Sequence, residues 1–138
     1  MRLSGLTWSN ASDDDLKHAA KALVAMQRSD GGWADNPYMK SDAYATAVAL
    51  VALAESKAIK VNDGPYQRGV RYLLSTQFPD GSWHVRSRAI KFQPCFESGF
   101  PYGHDQWLSA SATAWAVQAL ALALNAGDID EVQRTASR

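Results

Sequence analysis

Apolar residues fall at helical spacing in two separate blocks of this 138-residue chain, and each block is followed by a run that is apolar on nearly every side. In the first block Leu16, Ala19, Ala20, Leu23, Val24 and Gln27 share one helix face. Ser12 followed by Asp13, Asp14 and Asp15 predicts its start, with a hydroxyl cap and then carboxylates favoured by the helix dipole. Asp30-Gly31-Gly32 ends it. A second helix opens at Ser41 or Asp42 and runs through Leu53; with no polar face, it should lie buried between neighbours. Pro65 sits at a first-turn position before a helix bearing Val70, Leu73 and Leu74. A fourth helix is expected from about Ser109 to a stop before Gly127, leaving a polar tail, 128–138, to fray. The pattern predicts an all-α fold of two helix hairpins.

The two hairpins are diverged copies of one another. At a shift of 50, Gln27, Asp30, Gly31 and Trp33 meet Gln77, Asp80, Gly81 and Trp83, and Leu23 meets Leu73. The segment from Asp42 to Ala47 meets Ser109 to Ala114 at a shift of 67, and 67 − 50 = 17 residues measures an insertion in the second copy. A repeat must be found before any motif is interpreted. One domain, 1–138, is expected to hold repeat 1 (about 12–57) and repeat 2 (about 63–126, with the insertion at about 84–108).

Both copies read glutamine, two residues, aspartate, glycine, one residue, tryptophan. The glutamine ends a helix whose last carbonyls lack donors, Asp-Gly turns the chain, and the indole is free to stack. An amide set against an indole would lock one hairpin to the next. These residues, with the run from Arg68 to Trp83, resemble the repeat family of squalene-hopene cyclases, oxidosqualene cyclases and related terpenoid cyclases. The resemblance implies a segment of an α/α toroid, with the Gln-ended helices outside and the Thr-Ala helices inside. It gives Gln27, Gly31, Trp33, Gln77, Gly81 and Trp83 a structural role. A closed ring needs more hairpins, so further repeats or self-association are the expected partners.

Those cyclases open one inner helix with Asp-x-Asp-Asp-Thr-Ala, whose central acid protonates an alkene. Here the position reads Asp42-Ala43-Tyr44-Ala45-Thr46-Ala47, so Tyr44 and Ala45 replace two acids. Protonating an alkene takes a very strong acid built from crowded carboxyls. Asp42 alone reads as a helix cap and is the one residual catalytic candidate. The related prenyltransferase subunits hold zinc. His84, Cys95 and His104 are the metal candidates here, but they lack that family's Asp-x-Cys pattern, and no cofactor is expected.

The insertion crowds Phe92, Phe96, Phe100, Tyr102 and Trp107 beside His104 and Asp105. Long irregular loops in small domains are commonly functional. These residues, with Tyr44, form the candidate ligand-binding set, suited to an apolar small molecule; end-capping of the stack is the plainer alternative. Fourteen basic residues balance fourteen acidic ones, which gives no field to recruit nucleic acid. The apolar stretch from Ala110 to Leu124 falls short of the ~20 residues of a spanning helix, and Met1–Asn10 has no signal-peptide core, so the chain reads as soluble, of unknown compartment. The functional expectation is a non-catalytic cyclase-like module for binding or assembly. The alternatives are a fragment of a terpenoid cyclase or prenyltransferase acting on an isoprenoid, or a glycan-binding toroid.

Overall fold

The computed structural model describes residues 2–89 and 96–136, with side chains up to residue 125. Among the described residues all regular structure is helical: α1 (Arg2–Trp8), α2 (Asp13–Ala25), α3 (Ala43–Ser56), α4 (Gly64–Thr76) and α5 (Gln106–Ala136), with a 3-10 turn (Gly103–Asp105) leading into α5.

Local chemistry sets most of the boundaries. Ser12 Oγ accepts the Asp15 amide at 3.2 Å and caps α2. Asp42 caps α3 in the same way, its Oδ1 accepting the Ala45 amide at 2.8 Å. Pro65 lies in the first turn of α4, where its missing N–H costs nothing. α3 packs most extensively against α5, and then against α4 and α1. Accordingly it carries ten buried residues, Leu50 and Leu53 among them.

Three elements depart from the expectation. α1 precedes the first capping signal and was not foreseen. α5 begins at Gln106 rather than near Ser109, because the 3-10 turn feeds straight into it. Ser109 is therefore an interior residue of the helix, holding the Val85 amide on its Oγ at 3.0 Å. α5 also runs past Gly127 to Ala136 instead of stopping before it. A helical glycine costs only about 1 kcal/mol, too little by itself to end a helix. Elongated at both ends, the apolar stretch becomes Gly103–Asn125, with a mean hydropathy of 1.4, long and apolar enough to cross a membrane by length and composition. α5 packs one face against α3, with Gln106, Ser109, Ala112, Ala116 and Ala119 buried, while only 22% of the apolar window is buried.

The two Asp-Gly turns are built alike. Trp33 donates its indole N–H to the Leu23 carbonyl at 2.8 Å and its amide to Thr46 Oγ1 at 3.0 Å. Trp83 does the same with Leu73 at 2.9 Å and Thr113 at 3.1 Å. Asp30 and Asp80 accept the Gly32 and Ser82 amides, and Gly31 and Gly81 stand at φ +86° and +83°.

The side-chain N–H groups of the glutamine and of the indole both donate to main chain. The indole, rather than the amide, satisfies the helix-end carbonyl. Gln27 lies beyond the Met26 cap, so its amide reaches forward to Gly31 O at 2.9 Å and across to Pro65 O at 2.8 Å. Arg68 of α4 donates to Gln27 Oε1 at 2.8 Å. Gln27 thus ties the first turn to α4. Gln77 repeats the bond to its own turn, Gly81 O at 3.0 Å.

Candidate functional site

A concavity of about 620 Å³ opens between α1, α2 and α3. Its walls are mostly small and apolar: Ala19, Ala22 and Leu23 from α2, and Ala45, Val48, Ala49 and Ala52 from α3. Trp33 forms part of the floor, and Arg2, Asp35 and Tyr44 bring the polar groups. A smaller recess of about 90 Å³ lies beside it, where Trp8 of α1, Tyr44, Val48 and Glu55 of α3 and Trp115 of α5 meet. Tyr44 and Val48 border both. Tyr44 is therefore the one member of the sequence-derived ligand set on these surfaces.

Asp42 stands at the start of α3 beside the rim. Its Oδ1 caps the helix, and its Oδ2 accepts Arg88 Nη2 at 2.7 Å. Arg88 also pairs with Asp35, so one residue from the stretch after Trp83 holds two carboxylates of the segment leading into α3. Burial pushes the Asp42 carboxyl above the usual carboxylate range, and the amides of Ala45 and Tyr44 pull it back. The guanidinium pulls in the same direction as those amides. Each oxygen of Asp42 thus has a fixed job, and no second carboxylate crowds it from Tyr44 or Ala45.

The sign of the pH dependence follows. A carboxyl raised by folding stabilises the protein below its unfolded value of 3.8, and that contribution is lost as pH rises and the buried group must ionise. Arg88 offsets this loss once Asp42 is charged. Arg88→Ala should therefore lower stability by about 1 kcal/mol at pH 7 and by much less at pH 3. Thermal melts at the two pH values check this; equal losses at both would show that Arg88 acts by packing alone.

The insertion builds a separate polar cluster. His84 Nε2 lies 2.8 Å from Asp105 Oδ2, the Ser87 amide donates to Asp105 Oδ1 at 2.8 Å, and His104 Nδ1 stands 3.5 Å away. The His84 bond, ahead of the Ser87 amide, holds Asp105 below the usual carboxylate range. His84 stacks on Tyr102 at 4.7 Å, and the Tyr102 hydroxyl shares a short hydrogen bond with Ser82 Oγ. Phe100 and Phe78 flank the Tyr102 ring. Trp107 donates to the Phe96 carbonyl at 3.1 Å, and both side chains are largely exposed.

Tyr102, Phe100, His104 and Asp105 are thus brought together, Phe96 and Trp107 form a second group, and Tyr44 stands apart from both. The insertion residues line neither concavity described above. Phe92 and Cys95 lie outside the described residues. Among those described, no group of three His, Cys, Asp or Glu side chains is arranged to hold a metal ion. Sequence reasoning missed Arg88, Asp35 and the walls of the large cavity. Their signal was weak, since an arginine in a loop names no partner and alanines on two helices do not say which faces meet.

No family model matches the chain. Over 78 residues it is 37% identical to drimenyl diphosphate synthase of Streptomyces showdoensis, a match covering 56% of this chain and 14% of that protein. The matched stretch is thus similar to part of a terpenoid synthase, of which the chain spans about a seventh of the length.

Proposed function

We propose that this chain is a non-catalytic module related to terpenoid cyclases, used for assembly with further helical repeats rather than for chemistry. One observation carries the reading: Asp42, at the place where the resembling cyclases begin their acid motif, is spent on capping α3 and on pairing with Arg88. An alkene-protonating acid must carry its proton on an oxygen that faces the substrate. Here the anion is held by an amide and a guanidinium, and Tyr44 and Ala45 supply no second acid.

Incubating the chain with linear isoprenoid diphosphates and analysing the extract tests this. No cyclised product above a protein-free control is the expected result. A cyclised product that disappears with Asp42→Asn would overturn the proposal.

The second reading, a fragment of a cyclising enzyme whose acid lies on other repeats, is favoured by the partial match to a much longer terpenoid synthase. A native reading frame carrying a complete Asp-x-Asp-Asp-Thr-Ala segment elsewhere would support it.

A further inference from the structure

The end of α3 has a second echo, upstream of both hairpins. At a shift of 47, Leu3, Leu6 and Ser9 fall on Leu50, Leu53 and Ser56, and Asn10 falls on Lys57. The bonding repeats with the sequence. Ser9 Oγ donates to the Leu6 carbonyl at 3.1 Å, as Ser56 Oγ donates to the Leu53 carbonyl at 2.9 Å. Asn10 and Lys57 both leave their helices in the left-handed region at φ +53°. Leu3 and Leu50 are both buried. By sequence and geometry, α1 is equivalent to the second half of α3.

α1, however, has 7 residues against the 14 of α3. On α5, which packs extensively against α3, the alanines at the 67-residue shift, Ala112, Ala116 and Ala119, are 0% exposed. Their counterparts Ala45, Ala49 and Ala52 on α3 keep 8, 5 and 3% exposure and edge the 620 Å³ cavity. The cavity therefore lies where the first turns of an α3-like helix would run, and it continues the existing interface of α1 with α3.

We propose that this cavity is a helix seat, filled by an apolar, small-residue helical segment resembling Asp42–Ala47 and lying in line with α1. Small side chains on both sides allow close backbone approach, and Trp33 forms the apolar floor. The proposal extends the assembly reading by naming the surface and its occupant. The isoprenoid assay is untouched by its failure, so the two stand or fall separately.

The test is a chain with a second copy of Asp42–Ala47 fused ahead of Met1, in the register of the 47-residue shift. Its thermal midpoint should rise by about 5 °C or more, and its binding of an environment-sensitive apolar dye should fall several-fold. Ala22→Glu places a charge on the wall of the seat at an exposed α2 position. It should leave the midpoint of the original chain almost unchanged and abolish the gain in the extended one. An unchanged midpoint with undiminished dye binding would overturn the proposal, as would a gain that Ala22→Glu leaves intact.

Discussion

Replacing Trp83 with alanine should destabilise the protein by about 3–5 kcal/mol, the cost of emptying a fully buried aromatic site. For a chain of 138 residues that is a fall of about 10–15 °C in thermal midpoint. The ring is 1% exposed, and two of its bonds hold different elements, the end of α4 through Leu73 and α5 through Thr113. Alanine keeps the main-chain bond to Thr113 and loses both the ring and the donor to Leu73. Trp83→Phe should fall between the two proteins, since it restores most of the apolar area but not the indole N–H. Circular dichroism melts of the three proteins would check the order. A Trp83→Ala protein within about 1 kcal/mol of the parent would mean that the indole is not a structural latch.

Gly31→Ala should cost about 3 kcal/mol, whereas Gly81→Ala should cost only about 1–2 kcal/mol. Both glycines have left-handed backbones, at φ +86° and +83°, so both substitutions carry the same conformational penalty. The difference lies in the surroundings. A Cβ at position 31 would sit 2.7 Å from the Arg68 carbonyl oxygen, main chain that cannot turn aside, whereas at position 81 the nearest atom is Gln77 Nε2 at 3.9 Å. The first turn is covered by α4, and no described helix covers the second in the same way. Denaturant midpoints of the two variants would decide, and equal losses would show that α4 does not press on the first turn.

Much of the architecture was legible because it rests on short-range chemistry. Ser12, Asp42 and Pro65 announce helix starts with groups that satisfy or lack main-chain donors, and the structure places all three where that chemistry puts them. The unbroken apolar run after Asp42 requires burial on every side, and α3 is the most enclosed helix. The cap at Asp42 was likewise readable from its position. Its salt bridge was not, because Arg88 lies 46 residues away and reaches it only through the folded insertion. The sequence also singled out the Thr-Ala pairs without giving their use. Only the fold reveals Thr46 and Thr113 as acceptors for tryptophan amides 13 and 30 residues upstream.

The chain's own pattern of caps, stripes and Asp-Gly turns determined that it would be helical and that the two turns would be alike. Those choices are settled within a few residues, by donors, acceptors and permitted φ values. The tertiary structure alone decided that α1 would stand beside α3, that α5 would run on through Gly127, and that α2 and α3 would leave a cavity between them. It also assigned the side-chain N–H groups of the glutamines and indoles to main-chain partners. Each of these depends on which surfaces meet across the core. Packing energy of that kind is summed over many distant contacts, and spacing along the chain does not encode it.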